Sequence, residues 1–178
     1  MHYFEDEEVG RREMTVIVVM GVAGSGKTTV GAELARRLGV EYAEADTFHP
    51  AANIAKMSAG HPLTDEDRQP WLAAIAGWIH AHQETGGVVS SSALKRRYRD
   101  VLRSGGDVWF LHLDGPRELI ADRMRSRSGH FMPVSLLDSQ LADLEPLEND
   151  ERGLVADIAT PPEDIVRAAL DALAKEPK

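Results

Sequence analysis

Apolar positions follow two alternating rhythms along this chain. Val16-Ile-Val-Val-Met20 is a β-branched run without polar interruption, as in a parallel strand covered on both faces. It runs into glycines, after which Val30, Leu34 and Leu38 recur at i+4 within Thr28 to Leu38. Gly39 then stands where a left-handed C-terminal cap belongs. The pairing repeats. Val40 to Ala45 is a weaker strand, and Pro50 suits the first turn of a short helix reaching Ser58. Trp71, Leu72, Ile75, Trp78 and Ile79 stripe a longer helix that stops at Gly86-Gly87. Gly87 to Ser91 predicts a third strand, and Leu94, Tyr98, Val101 and Leu102 the helix after it. Val108 to Leu113 is the fourth strand, followed by a helix from Pro116 carrying Leu119, Ile120 and Met124. Past the loop Ser128 to Pro133, the residues Leu136, Leu137, Gln140, Leu141 and Leu144 predict another helix. Leu154 to Ile158 is the fifth strand, and Ile165, Val166, Ala169, Leu170 and Leu173 stripe the last helix. Strands separated by helices predict an α/β fold with a five-stranded parallel sheet and right-handed crossovers.

The chain has 178 residues, 43% hydrophobic and 28% charged, which fits one domain over residues 14–178. Residues 1–13 hold five acidic and two basic side chains with no periodicity and are expected to be a frayed tail or an expression remnant. A net charge of −9 argues against a broad nucleic-acid surface. With no cysteine, disulfides, thiolate metal sites and cysteine nucleophiles are excluded. Apolar runs fall far short of the ~20 residues a bilayer span needs, and the acidic start is unlike a signal peptide. The expectation is a cytoplasmic enzyme that binds neither nucleic acid nor membrane.

Gly21-Val22-Ala23-Gly24-Ser25-Gly26-Lys27-Thr28 satisfies G-x-x-x-x-G-K-[ST] after a strand and at the opening of a helix. Its glycines let backbone N–H groups turn inward onto phosphate oxygens, and the helix N-terminus adds its positive end. Lys27 would then reach the β- and γ-phosphates and Thr28 would ligate Mg²⁺. No N-K-x-D motif supports a GTPase, and Asp150-Glu-Arg-Gly153 follows no strand. A small-molecule kinase is the class that remains.

Ligands of open parallel sheets gather at the carboxyl ends of strands. There the second strand brings Glu44 and Asp46, two carboxylates at i and i+2, one suited to Mg²⁺-bound water and one to accepting a hydroxyl proton. A helix cap at Asp46 or Thr47 is the alternative. Asp67 reads as a helix cap, which leaves Arg68 to be explained. Lys95, Arg96, Arg97 and Arg99 crowd four cations into five positions; Lys95 and Arg99 at i,i+4 would share a face and meet one anion, unless the run is a solvated surface. Arg123, Arg125, Arg127 and His130 flank a glycine-containing loop suited to a lid. His112, within an apolar strand, reads as a core residue.

Several stretches are similar to gluconokinases of the small P-loop type, the thermoresistant glucokinase-like carbohydrate kinases: M-G-V-A-G-S-G-K-T-T at 20–29, A-D-T-F-H-P at 45–50, N-I-A-K-M-S-A-G-H-P-L-T-D-E-D-R-Q-P-W-L at 53–72, S-A-L-K-R-R-Y-R-D at 92–100, and G-H-F-M-P with L-L-x-S-Q-L-x-x-L-E-P through 146. The resemblance implies transfer of the ATP γ-phosphate to the 6-hydroxyl of D-gluconate, with Mg²⁺. It also implies a P-loop kinase fold of sheet order 2-3-1-4-5, a small helical lid around 123–146, and a homodimer. By the same resemblance Thr29, Arg123 and Arg127 join the loop in holding ATP, with Thr160 and Pro161 near the adenine. Asp46, His49, Arg68, Lys95, Arg99 and His130 would face the acceptor, with its carboxylate on Arg68, Lys95 and Arg99; Glu44 would act on Mg²⁺ through water. Some family members carry Asp at the position of Glu44, and the acidic start has no counterpart in the family pattern. The alternatives are another small-acceptor kinase, of shikimate or nucleoside monophosphate, or a regulatory nucleotide-binding module.

Overall fold

In the computed structural model, which describes residues 15–126 and 134–176, the uninterrupted apolar run Val16–Met20 is β1, buried at every position. The other strands are β2 (Glu41–Glu44), β3 (Gly87–Ser90), β4 (Val108–Asp114) and β5 (Gly153–Asp157). All pair in parallel in the order β2-β3-β1-β4-β5, so the expected sheet is present. Val18 lies between Val89 and Phe110, which fixes the central register. The helices are α1 (Lys27–Leu38), α2 (Ala51–Ser58), α3 (Asp65–Ala81), α4 (Arg96–Arg103), α5 (Arg117–Ser126), α6 (Val134–Asp143) and α7 (Pro162–Ala174). Gly39 caps α1 at φ +68°, its N–H bonded to carbonyls one turn back, as the sequence predicts.

Alternation along β1 divides the core. Ile17 and Val19 pack with Val30 and Leu34 of α1, Ile120 of α5 and Ile165 and Val166 of α7. Val16, Val18 and Met20 pack with Trp71, Leu72 and Ile75 of α3 and Tyr98 and Leu102 of α4. The chain leaves β1 toward β2 and leaves β3 toward β4, and diverging connections of this kind open a crevice at the carboxyl end of the central strands.

Two helices begin elsewhere than the apolar stripes suggest. α3 starts at Asp65, because Thr64 and Asp67 form a reciprocal capping box; Asp67 is its third residue and not the cap. α4 starts at Arg96, because Ala93, at φ +44°, turns the chain after β3 and leaves Lys95 at the cap position. The expected tail at 1–13, along with Arg127 and His130, lies outside the described residues.

Candidate active site

The loop between β1 and α1 takes backbone angles that only its glycines hold without strain. Gly26 opens α1 at φ +94°, and Gly24, at φ +79°, would bring a Cβ to 2.7 Å from Met124 Cγ of α5. Lys27 Nζ donates to the carbonyls of Gly21 and Val22 at 3.0 Å, laying the ammonium along the loop. The N–H of Ala23 donates to Gln140 Oε1 of α6 at 2.7 Å. Gly24, Ser25, Gly26 and Thr29 line a cleft of about 190 Å³ with Arg123, Thr160 and Pro162. Arg123 is fixed there by a 2.6 Å hydrogen bond from Nη2 to the Ile158 carbonyl. Pro161, the cap of α7, sits between Thr160 and Pro162. Gly24, Ser25, Gly26, Thr29, Arg123 and Thr160, all expected to hold the nucleotide, therefore come together on the α1–α7 side of the sheet, while Arg127 lies outside the described residues.

At the first turn of α1 a polar chain crosses to β2 and β3. Thr28 Oγ1 donates to Glu44 Oε1 at 2.7 Å, and Tyr42 Oη donates to the same oxygen at 2.6 Å. Ser90 Oγ lies 2.8 Å from Tyr42 Oη and donates to the Lys27 carbonyl at 3.2 Å. Burial and the bond to Glu44 push the Tyr42 phenol up to about 12, so it stays a donor at neutral pH. Among the described residues no group of three or more acidic or imidazole side chains could hold a metal. A hydroxyl and one carboxylate beside a phosphate loop fit Mg²⁺ instead, which takes hard oxygen ligands and relies on substrate phosphates and water for the rest.

The side expected to face the acceptor is built around Trp71. Its Nε1 donates to the Ala45 carbonyl at 2.8 Å and pins a 3₁₀ turn, Ala45–Phe48, that carries Asp46 exposed at the surface. The alternation expected to align Glu44 with Asp46 breaks here, because the extended chain ends at Glu44. His49 stacks on Trp71 at 4.5 Å between centroids, with Nδ1 3.2 Å from Asn53 Nδ2. Burial lowers the His49 pKa; the Asp46 charge opposes that and Arg68 adds to it. Arg68 Nη1 donates to the Leu63 carbonyl at 2.9 Å and to Tyr98 Oη at 3.3 Å. Lys95 Nζ lies 5.6 Å from the Tyr98 ring centroid and 3.8 Å from Asp65.

Arg99 does not belong to this set. It has no exposed surface, and its guanidinium donates to Glu151 at 2.7 and 3.0 Å and to the carbonyls of Ala93, Leu94 and Pro146. The shared face expected for Lys95 and Arg99 fails because Lys95 precedes the helix. Burial alone would push the Glu151 carboxyl up, but hydrogen bonds from Arg99 and Arg103 outweigh it and hold the group below its ordinary range. The residues 145–151 thus latch α4 in place, with Glu145 also bonding Leu94 and Arg96. His112 is buried as expected, yet its Nε2 has no hydrogen-bond partner, and burial lowers its pKa toward the neutral imidazole.

Sequence reasoning left out Tyr42, Asp65, Tyr98, Gln140 and Glu151 as site or supporting residues. Tyr98 and Gln140 fall on the apolar helical stripes, and Asp65 stands in an acidic first turn, so spacing alone does not mark them. Only Glu151 had a usable signal: an acidic run of this length, in a chain with a dense basic segment, needs a partner.

The shikimate kinase family profile matches residues 23–171. The gluconokinase of Gluconobacter oxydans is 52% identical over 139 residues, covering 76% of this chain and 78% of the relative. The thermoresistant gluconokinase of Escherichia coli is 40% identical over 164 residues, covering 90% and 94%. Among solved structures, a gluconokinase from Sinorhizobium meliloti superposes with TM-score 0.83 at 49% identity, over 90% of this chain and 92% of that one. Shikimate kinase from Aquifex aeolicus, at 16% identity and TM-score 0.60, shares the fold.

Proposed function

Because the chain belongs to the gluconokinases, within the shikimate kinase-like family of P-loop kinases, and phosphorylates gluconate with ATP, we propose that Asp46 receives the proton of the 6-hydroxyl while Arg68 and Lys95 hold the carboxylate at the far end. The observation that carries this reading is the division of groups about the phosphate loop: Arg123 and Thr160 line the cleft on the α1–α7 side, whereas His49 and the turn bearing Asp46 are held against Trp71 of α3, and Arg68 and Lys95 flank Tyr98 of α4. The 6-oxygen bonds the γ-phosphorus as the bond to the β–γ bridging oxygen breaks, giving ADP and 6-phosphogluconate. Lys27 and N–H groups of the phosphate loop stabilise charge on the transferring group, and Asp46 aligns the attacking hydroxyl and takes its proton. Thr28 would ligate Mg²⁺ and Glu44 would orient it through water, and the ion would supply neutralising charge at the β- and γ-phosphates.

A guanidinium and an ammonium suit a carboxylate, and a neutral sugar offers them no counter-charge. Mg²⁺ dependence, a cytoplasmic setting and a homodimeric state, together with the lid roles of Arg127 and His130, belong to the same proposal. No described helix is long and apolar enough to cross a membrane.

The test is ADP formation with D-gluconate, shikimate, D-glucose and nucleoside monophosphates in parallel, repeated for Asp46→Asn and Glu44→Gln. Gluconate is expected to be the fastest acceptor, with Asp46→Asn losing more kcat than Glu44→Gln. Faster turnover on another acceptor contradicts the substrate, and the reverse mutant order contradicts the roles of the two carboxylates.

A further inference from the structure

The cations assigned to the acceptor carboxylate already face a carboxylate of the chain itself. Asp65, the first residue of α3, accepts from Tyr98 Oη at 2.5 Å and pairs with Arg97. Its Oδ1 lies 3.8 Å from Lys95 Nζ and 3.9 Å from Arg68 Nη1. Arg68, Lys95 and Arg97 stand 5.6, 5.6 and 5.7 Å from the Tyr98 ring centroid, so three cations surround one ring and share one carboxylate. The distances to Lys95 and Arg68 exceed hydrogen-bond length, which makes Asp65 a counter-ion to both without being locked to either. Its side chain is 42% exposed, against 22% for Lys95 and 26% for Arg68, so the cations are the more deeply set partners and the carboxylate stands at the rim, where Tyr98 and Arg97 hold it.

We propose that Asp65 stands in for the acceptor's carboxylate, neutralising Arg68 and Lys95 in the free enzyme and giving way to gluconate when it binds. The inference rests on the reading that Arg68 and Lys95 hold that carboxylate. Its consequence is a built-in competitor: every carboxylate that binds must take over charge that Asp65 already satisfies, so Asp65 weakens acceptor binding. A neutral polyol cannot make the exchange and is indifferent to Asp65. The residue therefore tunes how strongly charge contributes to acceptor choice. Had Asp65 instead bonded acceptor hydroxyls, or held the cations in place, its loss would weaken binding.

These roles separate by sign. Calorimetric titration of D-gluconate and of D-glucitol, its uncharged open-chain counterpart, is made without nucleotide into the wild-type protein, Asp65→Asn and Lys95→Ala. Removing one partly exposed counter-ion is expected to tighten gluconate about two- to five-fold, leave glucitol where it was, and raise the ratio of kcat/KM for gluconate over glucitol. Asp65→Ser, which also suits the first turn of a helix, gives the same shift and guards against a folding defect peculiar to asparagine. Weaker gluconate binding in both variants, or equal shifts for gluconate and glucitol, overturns the proposal. Lys95→Ala separates the two levels. If it leaves gluconate affinity unchanged, the carboxylate reading itself fails; if it weakens gluconate while the Asp65 variants do not tighten it, only the stand-in role fails.

Discussion

Arg99 has no exposed surface and commits its guanidinium to Glu151 and three carbonyls, whereas Arg68 keeps about a quarter of its side chain open beside Tyr98. Removing one partner of a buried pair leaves an uncompensated charge, so Arg99→Ala should destabilise the fold by about 3–5 kcal/mol in urea titration. Arg68→Ala should lower kcat/KM for gluconate with little change in the urea midpoint. The Arg99–Glu151 pair also sets a pH dependence. A carboxyl held below its unfolded pKa contributes stability that is complete above that unfolded value, near 4.5, and is lost as pH falls through the folded value. Urea midpoints measured from pH 6 downward should therefore fall below about pH 4.5, and fall less in Glu151→Gln, which lacks the titrating group. Lys27→Met should cut kcat by at least ~10² through loss of a preorganised donor, with a smaller effect on ATP affinity because the N–H groups remain.

Gly31, in the middle of α1, shows how closely the elements press around the proposed Mg²⁺ residues. A Cβ there would come within 2.8 Å of both Ser90 Oγ and Tyr42 Cε2, two members of the chain that orients Glu44 toward Thr28. Gly31→Ala should cost about 1–3 kcal/mol of stability by overpacking and raise the Mg²⁺ concentration needed for half-maximal activity, read from thermal melts and metal titrations of rate. Strand identity was legible from apolar runs because a parallel strand buried on both faces has few polar positions to confuse the pattern: β1 has none, and β4 only His112 before its last residue. Helix starts were less legible. Thr64 and Asp67 cap α3 through side-chain bonds that the apolar stripe does not report, and Ala93 delays α4 by a backbone turn that no glycine announces. That delay is why Arg99 read as a ligand: i,i+4 spacing means a shared face only when both residues are in the helix.

Across the whole molecule, β1 separates two packed layers and delivers the phosphate loop to the crevice between them. The loop was readable because its chemistry requires a contiguous string of residues. The proposed acceptor site was readable only as fragments, since Asp46, Arg68 and Lys95 come from three segments: Trp71 pins the turn that carries Asp46, and Arg68 and Lys95 meet at Tyr98. Selection of a carboxylate acceptor is proposed to rest on Arg68 and Lys95. It is tested most directly by kcat/KM for D-gluconate and D-glucitol, at saturating ATP, in the wild-type protein, Arg68→Ala and Lys95→Ala. Losing a charge contact in a partly desolvated site is expected to cost about 2–5 kcal/mol, on the order of 30-fold to several thousand-fold, for gluconate, with glucitol turnover changed little. Gluconate activity within a few-fold of wild type in both variants, or equal losses on the two acceptors, would contradict it.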